Sequence, residues 1–158
     1  MIELAVKPLR SDAFAPFGTV VRAPAEVGRL QFPAALGNLR GNARASLTAS
    51  RALPQGLPLT TRFMERHRYS TQTFLPLDVG RYVVVVAPKS AAGAPDMHRA
   101  LAFIVPGDTG VSYAADTWHQ PLMVLDRPAC FAVLMWRDET PDDIESLTLD
   151  EPFGLRLA

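Results

Sequence analysis

The sequence is poor in the features that mark several large classes of protein. Its 158 residues include a single cysteine, so a disulfide-stapled scaffold is excluded. The 16 basic residues match the 16 acidic ones in number, which argues against a nucleic-acid binder with its basic excess. With 48% hydrophobic residues and no net charge, the chain also lacks the composition of a disordered segment. These absences leave an ordinary folded domain.

Long apolar runs are missing as well. The longest, residues 129–136, is far shorter than the ~20 residues that a membrane-spanning helix requires. The first residues lack the basic start and the apolar stretch of a signal peptide. We therefore expect a cytoplasmic protein with no membrane or nucleic-acid partner, folded as a single domain over residues 1–158.

Proline, by contrast, is abundant, and it determines the kind of secondary structure that fits. Fourteen prolines are spread along the chain and leave little room for long helices. One short helix is expected after Ser11, and another after Thr140, where Pro141 suits the first helical position. The apolar or β-branched runs between the prolines have strand length, which predicts an all-β sandwich or barrel. These runs are 81–87, 100–105 and 130–136, and the more polar segments 43–49 and 62–67 are further strand candidates.

Only three histidines are present, and two of them lie in polar settings. His67 follows Glu65 by two residues, so on a strand both side chains share a face, and Gln72 lies a short way further on. His119 follows the glycine-rich turn 107–110, which we interpret as a hairpin with His119 on the strand that leaves it. The third histidine is expected in a surface loop. The residues alone leave open a surface position for His67 and a core position for His119.

Longer segments carry a resemblance to a known family. Glu-Arg-His at 65–67, with Thr-Gln-Thr-Phe-Leu-Pro-Leu at 71–77, is similar to the first signature of the ureidoglycolate lyase family. Gly-Val-Ser-Tyr at 110–113, with Trp-His-Gln-Pro-Leu at 118–122, resembles the second. Residues 8–20 are similar to the N-terminal segment of the family. The similarity covers nearly the whole chain in the same order.

The resemblance implies a cupin, a small β-barrel of jelly-roll type that is usually a homodimer. It also implies a divalent metal ion, with nickel as the ion associated with the family, and no organic cofactor. In this sequence the metal-ligand positions fall on Glu65, His67, Gln72 and His119. Glu65 replaces a histidine of the common cupin ligand set, and Gln72 replaces a glutamate with a weaker, neutral ligand.

The activity that the resemblance implies is a carbon–nitrogen lyase reaction in allantoin and purine breakdown. It cleaves (S)-ureidoglycolate to glyoxylate and urea, which requires a base, an acid and an anchor for the carboxylate. Tyr113 is expected to donate to the leaving nitrogen and Arg66 to clamp the carboxylate. If Glu65 and His67 face inward, however, Arg66 faces outward unless a bulge redirects it. The predicted catalytic residues are His67, Tyr113 and His119, and the predicted substrate-binding residues are Arg66, Gln72 and Trp118.

Two alternatives remain open at this point. One is an amidohydrolase that releases ammonia from the same substrate. The other is a non-catalytic cupin that binds a small carboxylate. Two residues also depart from the family pattern, Ala114 and Gln120, each where a histidine is common. We expect both to be peripheral to the site, because Tyr113, Trp118 and His119 are retained.

Overall fold

The computed structural model describes residues 1–158 and consists almost entirely of β-strands. No helix in it is long and apolar enough to span a membrane. One α-helix, α1 (Ser11–Phe14), and three 3₁₀ turns (Pro33–Ala35, Met97–Arg99 and Pro141–Asp143) are the helical elements. The strands are β1 (Ile2–Pro8), β2 (Gly18–Arg22), β3 (Arg44–Ala52), β4 (Leu59–Arg66), β5 (Gln72–Pro76), β6 (Arg81–Ala87), β7 (Leu101–Pro106), β8 (Thr109–Tyr113), β9 (Trp118–His119), β10 (Met123–Val124), β11 (Ala129–Arg137) and β12 (Glu145–Leu157). The predicted all-β fold with short helices is confirmed.

The local predictions hold for most elements. Each of the five predicted strand segments forms a strand, and β6 coincides with its β-branched run and is buried on both faces. The first helix lasts one turn and has Arg10 rather than Ser11 at its N-cap. The second is a single 3₁₀ turn in which the Thr140 hydroxyl accepts from the backbone N–H of Asp142 at 3.3 Å. The prolines thus limit the helices as expected.

Six strands close into a barrel in the order β6, β7, β1, β12, β4, β9 and back to β6. β1 lies parallel to both of its neighbours, and the other pairs in the ring are antiparallel. All six strands send side chains into the barrel, where they form one apolar core. Representative members of this core are Leu4, Met64, Val83, Val85, Ala102, Trp118 and Phe153.

A second, five-stranded antiparallel sheet, in the order β2, β8, β5, β11, β3, packs against the outer face of the barrel wall formed by β6 and β7. The alternation along β6 explains the two layers, since Val83 and Val85 point into the barrel and Tyr82 and Val84 point toward the second sheet. The second core therefore lies between the barrel wall and this sheet. Strand β3 forms one edge of the sheet and is largely exposed.

The turn at Gly107 differs from the prediction. Strands β7 and β8 flank it but belong to different sheets, so it is not a hairpin. A Cβ at Gly107 would clash with the backbone of Val79, which explains why the chain uses glycine where it crosses between the two layers. His119 lies on β9, beyond β8, and not on the strand that leaves the turn.

Candidate active site

Two of the predicted site residues lie opposite each other on neighbouring strands of the barrel. Glu65 of β4 and His119 of β9 are direct partners in the antiparallel register. The preceding residue on each strand, Met64 and Trp118, points into the barrel core. Because side chains alternate along a strand, Glu65 and His119 point outward, toward the five-stranded sheet. The barrel wall thus supplies half of the site.

His67 completes a group of three metal-ligand side chains. It follows β4 directly and is buried. Its ring centroid lies 5.5 Å from that of His119, and His119 Nε2 is 3.4 Å from Glu65 Oε1. One ligand atom from each of Glu65, His67 and His119 lies within 4.8 Å of the other two. The two histidines, distant in sequence, therefore meet in one site.

The hydrogen bonds of the two imidazoles define which nitrogen faces the site. His67 Nδ1 lies 2.8 Å from the carbonyl oxygen of Asp143, and His119 Nδ1 lies 2.9 Å from that of Thr117. A carbonyl only accepts, so each Nδ1–H donates, and the Nε2 of a neutral ring then keeps a lone pair. Both Nε2 atoms are buried without a hydrogen-bond partner. Histidines that ligate metals are commonly oriented in this way, and two imidazoles with a carboxylate suit a transition-metal ion.

Burial and neighbouring charge shift the pKa values of the group. Burial lowers the pKa of His67, and the nearby His119 lowers it further, so His67 favours its neutral form. Burial, the largest single effect, raises the pKa of Glu65, but the contact with His119 and the charges of the two imidazoles together outweigh burial, so the net direction is downward. Near neutral pH the site therefore presents an ionised carboxylate beside a neutral His67, the forms in which both residues bind metals.

The five-stranded sheet supplies the residues that face this group. Gln72 of β5 and Tyr113 of β8 are register partners, and the Tyr113 ring stacks on His119 with the centroids 4.0 Å apart. The Tyr113 hydroxyl and Gln72 Oε1 are both buried without a hydrogen-bond partner. Burial raises the pKa of Tyr113 well above 10, so its hydroxyl stays protonated. Both residues thus bring unused polar atoms to the site.

A cavity of about 320 Å³ adjoins the site, with Glu65 and Gln72 in its wall. Strand β3 adds the hydroxyl residues Thr48 and Ser50, which no motif in the sequence indicates. No lysine or arginine lines the cavity. The other seven lining residues are apolar: Ala52, Phe74, Pro121, Leu122, Phe131, Val133 and Met135.

The structure places Arg66 and Trp118 apart from the cavity. Arg66 forms ion pairs with Asp116 at 3.0 Å and Glu145 at 2.9 Å, and its guanidinium lies over the Trp118 ring, 4.4 Å from the centroid. The Trp118 indole packs in the barrel core and donates to the Gly93 carbonyl at 2.9 Å. The structure therefore brings neither of these two predicted substrate-binding residues to the cavity, because each is one residue away from Glu65 or His119 along its strand and so lies on the opposite, barrel-core face.

The two departures from the family pattern occupy different environments. Ala114 is exposed at the end of β8. Gln120 is buried next to His119, and its amide lies 3.2 Å from the Met123 sulfur while its Oε1 has no partner. Ala114 thus lies outside the cavity wall, and Gln120 stands beside a site residue without joining the metal-ligand group.

The fold and the site together define a cupin-type protein: a β-barrel with a second sheet packed on it, and two histidines and a carboxylate gathered between the layers. A solved structure of a dTDP sugar isomerase from Desulfovibrio desulfuricans G20 shares the fold, with a TM-score of 0.52 and 19% identity over 85% of this chain and 83% of the other. This similarity indicates the fold alone.

The family is identified by sequence. The family model for ureidoglycolate lyase matches residues 1–156, and the chain belongs to this family. A protein of Chelativorans sp. (strain BNC1) named ureidoglycolate lyase is 33% identical over 99% of this chain and 98% of its own length. A Burkholderia cepacia protein of the same name is 36% identical over 83% of this chain and 78% of its own. The predicted resemblance is confirmed.

Proposed function

We propose that this protein is an enzyme that cleaves ureidoglycolate to glyoxylate and urea at the site formed by Glu65, His67 and His119. The observation that carries the proposal is the convergence of these three ligand side chains within 4.8 Å in a chain that matches the ureidoglycolate lyase family over residues 1–156. The names of the similar proteins from Chelativorans and Burkholderia support the substrate.

We propose that the same three residues hold one divalent cation, for which nickel is our candidate. The unpartnered Nε2 atoms and the ionised carboxylate fit such an ion. When bound, the ion would neutralise the substrate carboxylate and lower the pKa of the hydroxyl on the reacting carbon. The cavity favours this assignment because no lysine or arginine lines it. Gln72 Oε1 is available as a fourth ligand or as a hydrogen-bond acceptor for the ureido N–H groups.

The hydroxyl proton of the substrate needs an unprotonated acceptor. His67 offers Nε2, since its Nδ1 already donates to Asp143 and its lowered pKa keeps the ring neutral. Glu65 offers a second carboxylate oxygen, and its pKa is lowered too. We assign the base to Glu65 when the imidazoles serve as ligands, and to a histidine Nε2 otherwise.

The leaving ureido nitrogen needs a proton donor, and we assign this role to Tyr113. Its hydroxyl is protonated and buried, and it has no partner to compete for its proton. The ring is fixed by stacking on His119 with the centroids 4.0 Å apart. As the nitrogen departs, the tyrosine supplies its proton and recovers one from solvent or from the base.

We further propose that the protein acts as a cytoplasmic homodimer in allantoin breakdown. The support for a dimer is the long edge strand β3, nine residues of which pair on one side only, with Leu47 exposed to 70%. An exposed edge of this length offers unpaired backbone groups with which the same edge of a second copy can pair.

The test is incubation of purified protein with racemic ureidoglycolate and quantification of glyoxylate, urea and ammonia. Equal amounts of glyoxylate and urea without ammonia support the proposal. Release of ammonia indicates an amidohydrolase, and saturable binding without turnover indicates a carboxylate-binding protein. His67→Ala and His119→Ala should each reduce the rate by about a hundredfold or more. His98→Ala, at an exposed histidine, is the matched control and should leave the rate unchanged.

A further inference from the structure

The carbonyl group that orients His67 belongs to a short turn that is held in place by a buried carboxylate. This carbonyl is that of Asp143, the last residue of the 3₁₀ turn Pro141–Asp143, and it lies 2.8 Å from His67 Nδ1. The position of that turn therefore decides which nitrogen of His67 carries the hydrogen. Anything that fixes the turn also fixes the lone pair on His67 Nε2.

The carboxylate of Asp143 holds the turn from within. It is buried and accepts hydrogen bonds from the backbone N–H groups of Asp138 at 3.0 Å and Glu139 at 2.9 Å. It also accepts from Arg40 Nη1 at 2.9 Å. The side chain of Asp143 thus links the two ends of the segment 138–143, while the main-chain carbonyl of the same residue accepts from His67.

Arg40 reaches this carboxylate from a distant part of the chain, the loop between β2 and β3. Besides Asp143, its guanidinium lies 2.9 Å from Asp138 Oδ1 and donates to the Trp136 carbonyl at 3.1 Å. Both partners of the Arg40–Asp143 pair are about nine-tenths buried. Breaking a buried charge pair leaves an uncompensated charge, so this pair holds the segment in one arrangement.

We propose that Arg40 and Asp143 are positioning residues that keep His67 in the tautomer with Nε2 free toward Glu65 and His119. Neither residue contacts the cavity, so both act through His67. The inference deepens the metal site and rests on the proposed function. Metal-ligating histidines depend on such outer partners, and loss of these partners typically lowers metal affinity about 10- to 100-fold.

The test compares Asp143→Asn with Asp142→Asn. Asp142 is the preceding residue in the same turn, and its exposed carboxylate forms no hydrogen bond, which makes it the matched control. Binding of Ni²⁺ to the metal-free proteins, measured by competition with a chromophoric chelator, should weaken about 10- to 100-fold in Asp143→Asn and stay unchanged in Asp142→Asn. Equal affinity of the two variants would overturn the proposal.

A second measurement does not depend on Asp143→Asn being folded. In metal-free wild-type protein, ¹⁵N chemical shifts of the His67 ring should show hydrogen on Nδ1, and Arg40→Lys should shift part of the population to the other tautomer. Hydrogen on Nε2 in the wild type would contradict the inference even if Asp143→Asn fails to fold. A wild-type protein that shows the Nδ1–H tautomer but forms no glyoxylate would leave the positioning role in place and refute the proposed function alone.

Discussion

Replacing Tyr113 with phenylalanine should raise the stability of the protein and lower its activity. The Tyr113 ring is fully buried and contacts His119, Phe14 and Phe74, with centroid distances of 4.0, 6.2 and 6.1 Å. A phenylalanine keeps all of these contacts. The hydroxyl, however, has no hydrogen-bond partner in the protein. A buried unpartnered polar group costs about 1–3 kcal/mol, so its removal should raise the free energy of unfolding by about 1 kcal/mol.

The rate should fall in the same variant. If Tyr113 protonates the leaving nitrogen, Tyr113→Phe should lower kcat for glyoxylate release by about a hundredfold or more. Urea denaturation followed by fluorescence gives the stability change, and a coupled glyoxylate assay gives the rate. A variant that is less stable than the wild type and turns over at the wild-type rate would refute the reasoning.

Tyr82 provides the matched control within the same core. It is as deeply buried as Tyr113, but its hydroxyl donates to the Thr109 carbonyl at 2.7 Å. Tyr82→Phe should therefore lower the free energy of unfolding by about 1 kcal/mol, since it leaves that carbonyl unpaired. Its rate should equal that of the wild type, because the Tyr82 hydroxyl is already engaged by the Thr109 carbonyl and Tyr82 is not part of the Glu65, His67 and His119 group.

Further predictions concern the pH dependence of stability, the role of Arg66 and the metal-ligand group. Metal-free protein should lose stability as the pH falls below about 6.5, because the unfolded chain protonates His67 before the folded chain, whose His67 pKa is lower. The lowered pKa of Glu65 adds a second loss of stability at more acidic pH. In urea titrations, the free energy of unfolding of His67→Ala should depend less steeply on pH between about pH 7 and pH 5 than that of the wild type. Arg66→Met should lower the free energy of unfolding by about 1–3 kcal/mol, a range discounted because Asp116 and Glu145 are partly exposed. Its KM should match that of the wild type, whereas a tenfold rise in KM at unchanged stability would support the carboxylate-clamp role. Glu65→Gln should weaken Ni²⁺ binding about tenfold or more. Dialysis of the wild type against a chelator should abolish turnover until Ni²⁺ is restored. Full activity of the metal-free protein would contradict the proposed role of the ion.

The strand framework was predictable because local sequence determines it. The β-branched run of β6 can be buried on both faces only as a central strand, and the structure places it between two cores. The pairing of Glu65 with His67 on one side follows from the two-residue spacing of a strand. The same alternation puts Arg66 on the face of β4 opposite to Glu65, and in the structure Arg66 lies over the Trp118 ring and pairs with Asp116 and Glu145 there.

Other parts of the site leave no local signal. Thr48 and Ser50 lie in the cavity wall because β3 pairs with β11, which depends on long-range packing rather than on the small polar residues of β3. The carbonyl that orients His67 belongs to Asp143, and a main-chain acceptor can come from any residue type. The crossing at Gly107 looks like a hairpin turn in sequence, and only the packing of two sheets shows that the chain changes layers there.

The position of β1 has a consequence for synthesis. This strand lies between β7 and β12, with Ile2 paired to Phe153 and Val6 paired to both Ala102 and Leu157. Of the two neighbours of β1, β12 is synthesised after all the other described strands, so β1 gains its second neighbour only once β12 has emerged, and until then an edge of the nascent ring stays open. We expect the incomplete chain to rely on chaperones that shield this edge, and a chain that stalls before β12 to be prone to degradation or aggregation.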